Sequence, residues 1–380
     1  MKTTKYSWKK LKWGDLATLE YGKGLRGYQN TEGTYPVYGT NGQIGWHKEP
    51  LCHKHGIIIG RKGAYRGIHY SSKPFFVIDT AFYLNPITDS FDVKWAYYQL
   101  LDFDINSLDS GSAIPSTSRD AFYQIRVNLP PLSTQRKIAS ILSAYDDLIE
   151  NNTRRIQILE EMAQAIYKEW FVNFRFPGHE KVKIVESDLG LIPEGWEINP
   201  FLEIAEFVNG FAFKPHHWGN SGKPIVKIAE LKSGITEKTP FYSGHDIPTK
   251  FHVKNGDVLF SWSADLDVYI WSHGEACLNQ HIFNVLPKRG YTKLFLFYSL
   301  KNRMQEFRSK SLGTTMRHIK RSALAQVKFV VPSTELRDLF ESYAQPMIQE
   351  ILNLTSKNNI LRRTRDLILP KLISGEIDVE

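Results

Sequence analysis

A seven-residue repeat runs through Ile138, Tyr145, Asn152, Leu159 and Ile166, with Leu142, Ile149, Ile156, Ala163 and Trp170 four residues after each. It returns 202 residues later at Phe340, Met347, Leu354, Leu361 and Ile368, beside Ala344, Ile351, Asn358, Arg365 and Leu372. Five heptads of this kind make a coiled-coil seam. Each helix, about 40 residues long, reaches roughly 60 Å at 1.5 Å per residue. Asn152 and Asn358 put one polar group in each copy of the seam, where it fixes register at some cost in stability. Pro346 and Pro370 are expected to kink the second helix. Both helices are launched by a proline step, LPPLSTQRKIASIL from Leu129 and VVPSTELRDLF from Val330.

The duplication extends beyond the helices. Trp8, Ala17 and Gly22 match Trp196, Ala205 and Gly210 at an offset of 188, whereas Gly111, Arg119 and Pro130 match Gly313, Arg321 and Pro332 at 202. The 14-residue difference marks an insertion inside the second globular half. The order is domain, helix, domain, helix, so the second helix can pair with the first only by running back. An antiparallel pair with a pseudo-twofold axis and a globular domain at each end follows. The expected bounds are 1–132 and 196–332 for the domains, 133–176 and 333–380 for the spacer helices with the C-terminal tail, and 177–195 for a linker. The globular halves read as α+β. His55–Gly67, Thr80–Pro86, Asn255–Trp262 and Gln280–Pro287 carry strand patterns, and short helices fall near Val93–Leu101 and Thr292–Phe307.

Charge divides along the same boundaries. Residues 1–132 hold 16 basic and 11 acidic side chains and residues 196–332 hold 18 and 11, whereas the helical stretches are mildly acidic, at 8 against 10 and 6 against 8. Two basic domains on acidic connectors suit a polyanion held at two places. Two cysteines, Cys52 and Cys277, are too few for a disulfide scaffold or a thiolate zinc site. With no secretory segment and no apolar run of 18 residues, the expectation is a soluble cytoplasmic protein with no membrane partner.

Glycine-flanked turns supply the candidate DNA contacts. Arg61, Lys62 and Arg66 lie between Gly60, Gly63 and Gly67, and Thr40, Asn41 and Gln43 lie in YGTNGQIG. Arginine and lysine suit guanine's major-groove acceptors and amides suit adenine, while a phosphate contact is the competing role for each. On the first reading, Arg61→Ala relaxes one base of one half-site by roughly 1 to 3 kcal/mol. The second half offers Ser261 and Ser263 in SWSADLD and Arg317, His318, Lys320 and Arg321 in TTMRHIKR. Catalytic signals are weak. There is no phosphate-binding GxxxxGK[ST] loop, and NLPPL lacks the aromatic of the methyltransferase NPP[YF] motif. Glu230 with Lys232 forms an ExK without an acidic partner motif upstream, Cys52, His53 and His55 form a lone cluster, and Asn279, Gln280 and His281 abut a strand, so none of these is assigned chemistry or a metal.

Read in order, YGTNGQIG, IIIGRKGAY, SGSAIP, LPPLSTQRKIASIL, EWFVNFRFPG, LGLIPEGWE, GDVLFSWSA, LNQHIF, SLGTTMRHI and LPKLISGEI resemble the specificity subunit of type I restriction-modification systems over nearly the whole chain. The resemblance implies two target-recognition domains, each reading half of a bipartite duplex DNA target, with the helices fixing the gap. It implies a non-catalytic subunit that holds no cofactor. Two methyltransferase subunits using S-adenosylmethionine on adenine N6 would dock on it, and two restriction subunits, with ATP and Mg, would join for cleavage. STQR at Ser133–Arg136 replaces a commoner acidic pair. The alternatives are a self-contained DNA-cleaving enzyme and an RNA-binding adaptor with a helical arm.

Overall fold

The computed structural model of the protein describes residues 8–28, 33–109, 111, 114–244, 247–311 and 318–379. Its contacts divide the chain into two units, residues 1–149 with 361–380 and residues 150–360. The division cuts both long helices, so each unit owns part of both.

The first unit contains β1 (Lys9–Lys12), β2 (Ala17–Tyr21), β3 (Tyr35–Gly39), β4 (Gly42–His47), β5 (Gly56–Gly60), β6 (Ile68–Ser71), β7 (Phe76–Val77), β8 (Ala81–Pro86), α1 (Val93–Leu101), α2 (Arg119–Tyr123) and β9 (Arg126–Leu129). The long α3 (Leu132–Tyr167) follows at once. One sheet has the order β2-β8-β5-β6 and a second β4-β3-β7, with β1 paired to β9. Strand β5, GIIIG, is buried along its whole length. Ile57 and Ile59 face a core containing Trp13, Phe82 and Trp95, while Ile58 packs with Phe75 and Val77. Burial on both faces explains why this strand reads as an unbroken β-branched run and does not alternate. Asp92 caps α1 by accepting from the Lys94 and Trp95 amides at 3.0 and 2.9 Å.

The second unit adds the hairpin β10 (Ile184–Ser187) and β11 (Gly190–Pro193), then β12 (Glu197–Pro200), α4 (Phe201–Ile204), β13 (Ala205–Asn209), β14 (Lys223–Val226), α5 (Ile228–Ser233), β15 (Phe241–Tyr242), β16 (His252–Val253), β17 (Val258–Ser261), β18 (Asp267–Ile270), β19 (Ala276–Leu278), β20 (Ile282–Pro287), α6 (Lys293–Ser309), α7 (Arg321–Gln326), β21 (Lys328–Val331) and the long α8 (Thr334–Ile373). Its main sheet, β13-β20-β17-β18, has the order of β2-β8-β5-β6. Its second sheet, β15-β14-β19-β16, repeats the parallel pairing of β3 with β7 as β14 with β19, and β12 pairs β21 as β1 pairs β9.

Single hydrogen bonds repeat as well. The Gly22 amide donates to Ala81 O at 3.1 Å and Gly210 to Ile282 O at 3.0 Å, and Ile78 donates to Tyr38 O and Asn279 to Val226 O, both at 3.0 Å. The extra residues of the second half lie between β14 and β17, where they form α5, β15 and β16.

The linker carries the β10–β11 hairpin, and Phe171, Phe174 and Phe176 surround Trp196 at ring separations of 6.1, 5.4 and 5.2 Å. Its prolines and glycines serve that hairpin and the turns around it. Helix α8 runs without a break through Pro346 and Pro370, both of which are exposed. A proline ring on the outer face removes one hydrogen bond and leaves the packed face intact. Helix α3 ends at Tyr167 in a π turn over Lys168–Val172.

Within the second unit, successive contacts ascend one long helix while descending the other: Asn152 with Asn358, Arg155 with Glu350, Tyr167 with Phe340. Within the first, Asp146 pairs with Arg365, and Ile138 and Leu142 share a core with Leu369 and Leu372. All ten seam positions on each helix are buried or half-buried.

Candidate nucleic-acid interface

In the first unit, four loops meet at one end of the main sheet. The Thr40 hydroxyl donates to Lys62 O at 2.8 Å and also hydrogen-bonds Thr80 O, and Thr40 O accepts from the Gly67 amide at 3.0 Å. Gly63, at φ 118°, donates to Pro115 O at 2.9 Å, a conformation that suits glycine. The Thr117 amide donates to Arg61 O at 2.9 Å, and its hydroxyl to Gly60 O at 2.8 Å. The basic turn is therefore pinned from three sides.

Arg61 leaves this turn half-buried. Its Nη1 donates to Asp79 O at 2.8 Å, and its guanidinium lies 4.7 Å from the centre of the Tyr21 ring. Arg119, at the start of α2, lies 5.1 Å from that ring and donates to the Tyr123 hydroxyl from Nε and Nη2 at 3.3 and 3.2 Å. Hydrogen bonds to Tyr123 and Tyr21 raise the Arg119 pKa further, so its charge is permanent. Tyr21 is half exposed, at 49%. Beneath the turn, burial pushes the His69 pKa down, and its ring fills the space a side chain at Gly67 would need.

The second unit builds the same crossing of loops. The Trp262 amide donates to His281 O as Arg61 does to Thr80 O, and Ile319 donates to Trp262 O as Thr117 does to Arg61 O. Ala264, at φ 57°, stands where Gly63 stands. The side chains differ: Trp262, packed 5.8 Å from Phe283, replaces Arg61 over Phe82, and Asn209 replaces Tyr21.

The family described as Type I restriction modification DNA specificity domain matches this chain at residues 6–161 and again at 193–366. The chain belongs to that family. As a specificity subunit it is similar to the type I restriction enzyme MjaIX specificity subunit of Methanocaldococcus jannaschii, at 27% identity over 73% of this chain and 66% of that one. It is also similar to the MjaVIII specificity subunit of the same organism, at 25% identity over 88% and 82%. The crystal structure of a type I restriction-modification S subunit from M. genitalium shares the fold, with a TM-score of 0.61 at 17% identity over 100% of this chain and 99% of that one. The chain thus spans about two thirds of the MjaIX subunit.

The sequence candidates of this specificity subunit fall into two groups. Asn41, Gln43 and Lys62 are exposed on the loop surface of the first unit, Lys320 and Arg321 are exposed in the second, and His318 is half-buried in a bridge with Ser263. The others face inward. Thr40 is bonded to two loop carbonyls, and Arg66 is 4% exposed and bonded to Asn106. Ser261 is fully buried and donates to Ser263 O, and Ser263 is itself buried. As surface contacts Thr40, Arg66, Ser261 and Ser263 are therefore withdrawn, because their polar groups already hold the loops together. Arg317 lies outside the described residues. Tyr21, Arg119 and Trp262 were not read from the sequence, although Arg119 was visible as a repeat anchor and Tyr21 immediately precedes another. Glu230 caps its own helix through the Lys227 amide at 3.0 Å, and Lys232 pairs with Asp265, which accounts for the ExK without chemistry. Among the described residues no three His, Cys, Asp or Glu side chains gather to hold a metal, and no helix is long and apolar enough to cross a membrane.

Proposed function

We propose that each unit reads one half of a bipartite duplex DNA target and that α3 and α8 form an antiparallel coiled coil that fixes the gap. The observation that carries this reading is the repetition of one loop crossing, with two matching backbone hydrogen bonds, in two basic domains with different side chains at the crossing. Similar frames with unequal surfaces suit two unlike half-sites. The pseudo-twofold arrangement expected from the chain order would put the half-sites about one helical turn apart, on the order of 35 Å. The subunit itself is proposed to be non-catalytic. Two methyltransferase subunits using S-adenosylmethionine would dock on the helices and recognition domains, and two restriction subunits with ATP and Mg would complete the complex. The test is selection of randomised duplex DNA by the subunit together with its methyltransferase partners. The expected result is two short defined blocks separated by a fixed number of undefined base pairs. A single continuous block, preference for structured RNA, or metal-dependent cleavage by the purified chain alone would overturn the proposal.

A further inference from the structure

We infer that Arg61, Tyr21 and Arg119 form a seat for backbone phosphate of the bound duplex, and that Arg61 is not a base reader. The inference rests on the proposed duplex-DNA reading and adds a role to one end of one recognition domain.

Two guanidinium groups share one tyrosine ring, at 4.7 and 5.1 Å from its centre. Among the described residues neither pairs with a carboxylate. Two cations against one ring, with no acid paired to them, make a local positive site that a bound anion neutralises. A base-reading arginine must also present a planar pair of N–H groups edge-on to guanine O6 and N7. Here Arg61 is anchored through Nη1 to Asp79 O, Arg119 is anchored through Nε and Nη2 to Tyr123, and both lie against Tyr21. Their orientation is fixed by the protein, while their charge remains available to an oxyanion. Arg119 opens α2, a single helical turn whose own N-terminus is capped by Ser118, so the anion is attracted by the side chains. Base readout then falls to the exposed amides nearby, Asn41 and Gln43.

The second unit supplies the internal control. Its matching positions hold Trp262 and Asn209, and only Arg321, matching Arg119, is charged. Among the described residues the stack of two arginines on one tyrosine occurs in the first unit alone.

The experiment measures the association constant of the subunit with its methyltransferase partners for its target duplex as a function of salt, in wild type and in Arg61→Ala, Arg119→Ala, Arg61→Lys and Trp262→Ala. Each phosphate contact contributes about 0.9 to the slope of log K against log salt. Arg61→Ala and Arg119→Ala are expected to lower that slope by about one each, to weaken target and unrelated duplexes by the same factor, and to leave the selected half-site letters unchanged. Arg61→Lys keeps the charge and should keep the slope, and Trp262→Ala should not change it. An unchanged slope with one relaxed letter in Arg61→Ala would overturn the seat in favour of base readout. If the wild-type complex shows no salt-dependent binding to duplex DNA, the underlying DNA reading has failed, and the seat fails with it.

Discussion

Asn152 and Asn358 meet inside the helix seam, where the Asn152 side-chain amide donates to Asn358 Oδ1 at 2.9 Å and Asn358 reaches Thr153 Oγ1 at 3.3 Å. They are 8% and 3% exposed, so removing one leaves the other's polar atoms buried without that partner. Asn152→Ala is expected to cost about 1 to 3 kcal/mol in urea unfolding. Asn152→Leu with Asn358→Leu should recover most of that loss, since a matched apolar pair avoids the buried polar group. A double variant as unstable as the single one would show that the amide pair is irreplaceable in this seam. The heptad count made these two residues legible because a polar side chain among apolar ones is visible without coordinates. That they face each other required the structure. Tyr21 shows the opposite limit: in the sequence it is one aromatic before a glycine, and its partners lie 40 and 98 residues away at Arg61 and Arg119. Ser261 misled for a related reason, since a serine beside a strand end carries no mark of whether its hydroxyl turns outward or back to its own chain.

Among the elements, Gly22 and Gly210 explain why the repeat is so clear at the end of β2 and β13. A Cβ at Gly22 would lie 2.1 Å from Ile78 O, and one at Gly210 2.2 Å from Asn279 O. In each unit the chain crosses the backbone of the loop ahead of β8 or β20 with no room for a side chain. Gly22→Ala and Gly210→Ala are each expected to lower stability by about 1 to 3 kcal/mol. Gly24→Ala, whose added methyl meets nothing within 4 Å, should be nearly neutral. Thermal unfolding of the three variants checks this, and equal losses at Gly22 and Gly24 would show that the crowding is relieved cheaply. Strands β5, β8 and β20 were legible because buried β-branched and aromatic runs end in glycine or proline, and β17 because its run follows Asn255–Gly256. The short β15 and β16 and the β10–β11 hairpin were not. Two to four residues of strand among turn-formers carry too little periodicity, and tertiary contacts decide them. The end of α8 lies between these cases: Gly375, at φ 74°, closes the helix with its amide on Leu372 O where an added side chain would run into the Trp8 ring, and only the glycine itself could be read from the chain.

At the scale of the whole molecule, the proposed ruler depends on two helices keeping one register, which constrains how its length can be changed. A heptad added to α3 alone would separate Asn152 from Asn358 and misplace every seam contact on one side of the insertion. A heptad added to both, after Ile149 and before Leu361, preserves the pairing, because seven residues return nearly the same face at 3.5 residues per turn. Each helix then lengthens by about 10.5 Å at 1.5 Å per residue. That corresponds to about three base pairs at 3.4 Å along the duplex. Selection of randomised duplex DNA by the paired-insertion variant with its methyltransferase partners should return both half-sites with their letters unchanged and a gap longer by about three base pairs. The insertion in α3 alone should destabilise the helix pair without producing a new, sharply defined gap. If the paired variant keeps the original gap, the distance between half-sites is set by contacts of the recognition domains and not by helix length. Unchanged half-site letters are the second requirement, since the loops around Asn41, Arg61 and Trp262 belong to the sheets of each unit and the added residues lie in the helices.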